Sequence, residues 1–315
     1  SGLVGSEMCI RDRLQAVMVA VLIGALTFLL MSLLPGDAAY RIAAGRYGYD
    51  MVNSAAAEAV RAELGLDQPV LWRFTAWIGD LLTLDLGNSL VTGRPVMAMV
   101  AHELGSSVRL AVGAVLLSFL IGPPVGVIAG LRPGGVLDRG LLLLSTVTRA
   151  IPHFVLGVIL VLIFSVWLMV LPSAGHGSFI HTILPTLTLA LGLAAVSSRV
   201  ARDATVAVAS SAYFAFGRLK GLSGPQVFMR HGLRNIGVPV VTYLGVQLVY
   251  LIEGVVVVET LFAWPGIGHG LVHAIVQRDV PMVQGTALAM GLMFVLLNTV
   301  VDLLNHLIDP RRRSA

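Results

Sequence analysis

Three carboxylates lie inside or at the rims of long apolar runs: Glu253, Glu259 and Asp302. Burying a carboxylate in such a run is costly, so each is a candidate for function. Glu253, near the middle or outer half of its run, either faces a solute path and favours a cation there, or pairs with a neighbouring helix. Glu259 stands near the outside mouth of the same run, and Asp302 near the inner end of the last one, where a structural role at the membrane edge is expected. Arg199 and Arg202 mark an inner boundary rather than a binding site. Other chemistry has no constellation. There is no Gly-x4-Gly-Lys-Ser/Thr segment to cradle ATP and no His-Glu-x-x-His. His153, His176, His181, His269, His273 and His306 are scattered at run ends, so no metal site is expected. Ser118 and Ser165 sit inside runs but lack the Gly-x-Ser-x-Gly context of a hydrolase nucleophile. The single cysteine, Cys9, excludes a disulfide framework or a cysteine metal cluster. The chain is not expected to be an enzyme.

The runs themselves set the class. Hydrophobic residues make up 57% of the 315 residues and charged ones only 12%, about half the charge an ordinary soluble domain carries. Six stretches lack Asp, Glu, Lys and Arg: 14–35, 110–131, 150–181, 182–198, 235–252 and 280–301. A bilayer-spanning helix needs about 20 apolar residues, and backbone groups in lipid must pair within their own segment. An all-α integral membrane protein with about six transmembrane helices follows. The run 182–198 is the shortest and carries Pro185.

Arginines orient it. With the N-terminus inside, the inside pieces hold Arg11 and Arg13, then Arg132 and Arg139, then Arg199, Arg202, Arg218, Lys220, Arg230 and Arg234, and last Arg311 to Arg313. The short outside loops hold almost none, as the positive-inside rule requires. Both termini are therefore expected in the cytoplasm. The net charge of +4 reflects this topology; basic residues spread over four pieces make no nucleic-acid face.

The expected organisation is a non-native or disordered leader at 1–13, a first span at 14–35, a periplasmic loop at 36–104, a core at 105–310 with five spans, and a basic tail at 311–315. Pro35-Gly36-Asp37 stops the first span. The outside loop should hold a helix from about Asn53 to Leu64, capped by Asn53 or Ser54 and ended by Gly65. An amphipathic stretch from Pro69 to Leu84 follows, with Trp72, Phe74 and Trp77 either at lipid headgroups or packed in a small cap. Arg149 and Pro152 divide the segment 136–171 into an inner lead-in helix and a span. Gly237, Gly245 and Gly254 recur along the fifth span and permit close helix approach.

The inner loop 199–234 is patterned as helix, turn, helix. Residues 204–220 are a helix candidate. Gly221-Leu222-Ser223-Gly224-Pro225 is a turn, with Ser223 as cap and Pro225 in the first turn of the next helix. A structured inner loop between spans needs a soluble surface to dock on, which points to a cytoplasmic partner.

The motifs together resemble a family. Pro35-Gly36-Asp37, Leu64-Gly65-Leu66-Asp67-Gln68-Pro69, Asp85-Leu86-Gly87-Asn88-Ser89 and Gly93-Arg94-Pro95-Val96 occur in order. So do Ala150-Ile151-Pro152 with Phe154, Lys220-Gly221-Leu222-Ser223, and Arg230-His231 with Arg234-Asn235. Val258-Glu259-Thr260-Leu261-Phe262, Trp264-Pro265-Gly266-Ile267-Gly268, Arg278-Asp279-Val280-Pro281 with Gln284-Gly285, and Asp309-Pro310-Arg311 complete the series. From about Leu14 to Arg313 the chain resembles the inner-membrane permeases of dipeptide, oligopeptide and nickel ABC importers, in particular the first-permease type with a long first periplasmic loop.

The resemblance implies a type I ABC importer permease fold in the bacterial inner membrane. It implies a permease subunit that moves peptides or a similar small solute by alternating access. It further implies a heterodimer with a second permease, two cytoplasmic ATPase subunits that use the ATP, a periplasmic or lipid-anchored solute-binding protein, and no cofactor bound directly. The ATPase-coupling segment it implies comprises Ala212, Tyr213, Ala215, Phe216, Gly217, Lys220, Gly221, Leu222, Ser223 and Gln226, with Glu253 and Glu259 as translocation-path candidates. Ala212, and often Ala207, stand where relatives commonly carry an acid, and Ala215-Phe216-Gly217 keeps little of the family's Glu-Ala-Ala motif. The competing class is an ion-gradient-driven carrier or channel, which should show inverted repeats and paired intramembrane charges; no convincing repeat is present.

Overall fold

The structure is a computed structural model that describes residues 18–308, apart from 20, 34, 49 and 84; of 80–82, 231, 249–250, 252–254, 302 and 304–308 it describes the backbone alone. The expected leader 1–13 and tail 311–315 lie outside the described residues. Among the described residues there is no strand, only one isolated bridge between Asn88 and Pro95. The chain divides into two compact units, residues 1–107 with 265–296, and 108–264 with 297–315.

The first unit opens with α1 (Val21–Leu33), the described part of the expected first span. Asp37 does more than stop that helix. Its carboxylate accepts from the Ala39 N–H and so caps a helix that the sequence pattern did not reveal, α2 (Ala38–Tyr47). As expected, Asn53 caps α3 (Ser54–Glu63), accepting from the Ala56 N–H at 2.8 Å. Ile42, Ala43, Ala57 and Val60 close a small core between α2 and α3. The amphipathic stretch is α4 (Val70–Leu82). Phe74 and Trp77 pack on Phe28 of α1, with Phe74 at 5.1 Å between ring centroids, so two of its three aromatics are packing residues.

In the same unit, α5 (Val96–Gly130) begins just after the bridge, and α12 (Ile267–Gln277) leads into α13 (Val280–Ile308). Asp279 is buried and accepts from the Ser89 hydroxyl and from the Leu90 N–H at 3.1 Å. Two motifs 190 residues apart are thereby tied together. A Cβ on Gly285 would come within 2.5 Å of Val96, so a third motif residue is fixed by close approach.

The second unit holds the rest of α5, then α6 (Val136–Ala150), α7 (His153–Val161) continued by a π turn (Leu162–Trp167), α8 (Phe179–Ala209), α9 (Ala212–Leu219), α10 (Gly224–Val227) and α11 (Leu233–Leu261). The division of this segment at Pro152 is as expected. Pro152 lacks an N–H, Ile151 is extended, and α6 and α7 meet at 102°. The expected run 150–181 is not one helix, however. It ends at Trp167, and the next helix starts at Phe179, because Gly175 and Gly177 between them take φ of +114° and +107°. Likewise 204–220 is not continuous. Ser210 and Ser211 turn their hydroxyls onto the carbonyls of Val206 and Val208, at 2.9 and 2.6 Å, and the helix breaks there.

The tightest seam in this unit joins α5 to α8. A Cβ on Gly126 would lie 2.0 Å from the Ser198 carbonyl oxygen, and Gly122 and Gly130 meet the α8 backbone similarly. Ser118 and Ser197, both buried, stand 3.4 Å apart on the same seam. Small residues four apart let two membrane helices touch backbone to backbone. The glycines singled out on the fifth span matter less. Gly237 has open space beside it, and a Cβ on Gly245 would come within 3.3 Å of a Val301 methyl, a tight approach the neighbour must yield to only slightly, while the Gly254 environment lies outside the described residues.

Helices Val96–Gly130, Phe179–Ala209 and Val280–Val301 are each long and apolar enough to cross a membrane, and the bent pair α6–α7 passes the same test when taken together. With 29 residues, α11 is long enough as well.

Candidate functional site

The loop 199–234 is rooted by an ion pair. Asp138, in the first turn of α6 and 2% exposed, grips Arg202 near the end of α8 with two bonds of 2.7 Å. The guanidinium, helped by the Gly134 N–H at 2.8 Å, pushes the Asp138 carboxyl down to about 2. A bidentate pair fixes direction as well as distance, so the end of α8 is held at a defined angle against α6.

Beyond the Ser210-Ser211 break, α9 and α10 fold onto each other. Gly217 is buried, and a Cβ there would come within 2.9 Å of a Val227 methyl. The glycine of Ala215-Phe216-Gly217 is thus required by packing inside the loop. After α9 the chain reverses at Gly221, whose φ is +86° and whose N–H donates to the Arg218 carbonyl at 2.9 Å. A Cβ on Gly221 would meet nothing within 4 Å, so conformation, not space, requires glycine. Ser223 then caps α10 as expected. It forms a capping box with Gln226, whose Oε1 accepts from the Ser223 N–H at 2.9 Å, and Pro225 stands in the first turn.

This construction leaves an apolar face uncovered. Tyr213, Phe216 and Leu219 of α9 are 41%, 57% and 86% exposed, and they follow one another at helical i, i+3 spacing. The Lys220 ammonium sits 4.7 Å from the Phe216 ring centroid, a cation–π distance. Arg218, Lys220, Arg230 and Arg234 have no ion pair with any described carboxylate. Of the ten residues expected to couple, Ala212, Tyr213, Ala215, Phe216, Lys220, Gly221, Ser223 and Gln226 lie exposed on this one turn–helix unit. Leu222 is half-buried, and Gly217 is buried against Val227.

The path candidates fall elsewhere. Glu259 lies in the last turn of α11 and is fully buried, its carbonyl accepting from the Trp264 N–H at 2.8 Å. The side chains of Glu253 and Asp302 lie outside the described residues. Sequence reasoning did not anticipate the cavity of about 440 Å³ at the α6–α7 break, into which Arg149, His153, Tyr243 and Gln247 project. The available signal was an arginine three residues before a proline, at the head of a charge-free run. Among the described residues no cluster of His, Cys, Asp and Glu has the geometry to hold a metal ion.

Residues 122–314 match the family described as binding-protein-dependent transport system inner membrane component, and residues 6–111 match its N-terminal companion. A probable peptide ABC transporter permease protein of Sinorhizobium fredii is 36% identical over 96% of this chain and 98% of its own length. The glutathione transport system permease protein GsiC of Escherichia coli K12 is 37% identical over 93% of this chain and 94% of its own. Among solved structures, a chain of the MetNI methionine ABC transporter in inward facing conformations superposes with a TM-score of 0.53 at 19% identity, covering 68% of this chain and 97% of that one. The last likeness is one of fold.

Proposed function

This chain belongs to the inner membrane components of binding-protein-dependent transport systems, and on that premise we propose that it is one of two different permease subunits of an ATP-driven importer for peptides or a similar small solute. It works with a solute-binding protein outside and two ATPase subunits inside. ATP binding closes the ATPase pair, and that closure rocks the permeases between inward-open and outward-open states. The chain holds no P-loop, so the energy enters through its inner loop, on the topology the arginines favour.

The observation that carries this reading is the uncovered face of α9. Tyr213, Phe216 and Leu219 project from a capped, internally packed unit whose Arg218, Lys220 and Arg230 have no ion pair among the described residues. Aromatic and apolar anchors ringed by charge are what a docking helix presents to a groove. The Asp138–Arg202 clamp then passes movement of that helix to α6 and α8.

The test is co-purification with the ATPase subunits. Gly221→Arg forces a side chain into a left-handed turn and onto the docking face, and is expected to abolish the association and ATP-driven uptake. Gly221→Asn, which tolerates that conformation, should keep most of both. Full ATPase binding by Gly221→Arg would sink the assignment.

A further inference from the structure

We propose that the cavity at the α6–α7 break is a subsite for the carboxylate end of an amphipathic solute, with Arg149 as the partner of that carboxylate. It rests on the permease reading above and gives that reading a solute chemistry.

The helix break builds the site. Arg149 is in the last turn of α6 and His153 is the first residue of α7, and the 102° turn between them brings both side chains to one cavity. From α11, Tyr243 and Gln247 reach the same space; residues four apart share a helix face. The remaining wall is apolar, with Leu189 and Leu193 of α8 both buried. The His153 ring abuts the α8 backbone, where a Cβ on Gly192 would come within 2.6 Å of Nε2, so α8 presents glycine where the ring needs room.

Arg149 differs from Arg202. Arg202 is held by Asp138 and Asp203, whereas no described carboxylate lies within 4 Å of Arg149. A guanidinium facing a cavity with its fork unfilled matches a carboxylate in shape and charge. A hydroxyl, an imidazole and an amide stand by for the remaining lone pairs, and leucines receive an apolar side chain. The volume of about 440 Å³ falls within the ~300–1,000 Å³ typical of small-molecule sites, which suits a solute of dipeptide size.

The test uses the assembled transporter in nanodiscs, without its binding protein, and two probes: alanyl-phenylalanine and its C-terminal amide. Wild type should bind the acid more tightly than the amide. Arg149→Gln should lose roughly tenfold or more in affinity for the acid, the scale of a charge-assisted hydrogen bond, while amide affinity moves less than about twofold and so reports an intact fold. Arg149→Lys should recover part of the acid preference. Val196→Trp, which fills the cavity, should weaken both probes. An equal affinity of wild type for acid and amide, or an acid preference unchanged in Arg149→Gln, overturns the subsite. Uptake of alanyl-phenylalanine into vesicles by the complete system is scored separately. Uptake with an Arg149-independent preference leaves the importer standing and removes the subsite. No uptake with an Arg149-dependent preference leaves the subsite and removes the peptide-import reading.

Discussion

Residues 38–66 and residues 210–232 are both short helices joined by capped turns, yet they dispose of their charges and apolar faces in opposite ways. In the first, Arg46 pairs with Glu63 at 2.7 Å and Arg61 with Asp37 at 2.7 Å and Glu58 at 2.9 Å, and the inward faces of α2 and α3 close on Ile42 and Val60. In the second, the cations are unpaired among the described residues and Leu219 stands 86% exposed. The inner loop is no less structured, since Gly217 packs on Val227 and Ser223 caps α10. A stretch that satisfies its backbone and leaves its side chains unsatisfied is finished as a fold and unfinished as a surface. Residues 38–66 spend their charges on one another; residues 210–232 leave theirs available, as the proposed docking requires.

That contrast can be broken by exchanging roles. Ile42→Ala removes a buried anchor of the outer core and should destabilise that stretch by about 2–5 kcal/mol, the usual cost of such a truncation. Hydrogen exchange over residues 38–66 should report it, with ATPase association unchanged. Loss of ATPase association in that variant would show that the two stretches are not separable. Leu219→Asp should do the reverse. Removing one exposed anchor at an interface centre weakens binding by about tenfold or more, and the melting temperature of the permease should not fall. A drop in melting temperature with unaltered binding would mean that α9 packs within the chain.

The smallest effect concerns the root of the loop. Asp138 titrates at about 2 because Arg202 and the Gly134 N–H hold its charge. A depressed carboxyl contributes stability that is complete above the ordinary carboxylate range and is lost as pH falls toward the depressed value. Asp138 should therefore remain ionised at about pH 4, where an ordinary aspartate is about half protonated. Its infrared carboxylate band, assigned with Asp138→Asn, checks this. The same sign holds for Glu63, which Arg46 holds below the usual range. Both should stay ionised to lower pH than a carboxylate without a guanidinium partner.

Much of the loop was legible because its signals are local. Ser223 and Gln226 three residues apart are a capping box on sight, and Gly221 before them announces a left-handed turn. Asn53 and Gly65 bounded α3 for the same reason. The helix break at Ser210-Ser211 was missed because serine is only weakly against helix, and its hydroxyls had a choice of carbonyls that only the packed loop decides. Helix α2 was missed because Pro35-Gly36-Asp37 reads equally as a stop and as a cap.

The sequence by itself determined the class, the long apolar helices and the capped turns at Asn53 and Ser223, because hydrophobic length and capping chemistry act within a few residues. Only the tertiary structure decided which residues meet. Ser89 finds Asp279 across 190 positions, Gly126 lies against the Ser198 carbonyl, Glu259 is buried, and Arg149 faces a cavity shared with Tyr243 and Gln247. Such contacts depend on how helices pack, and packing is set by the shapes of whole faces rather than by any local signal.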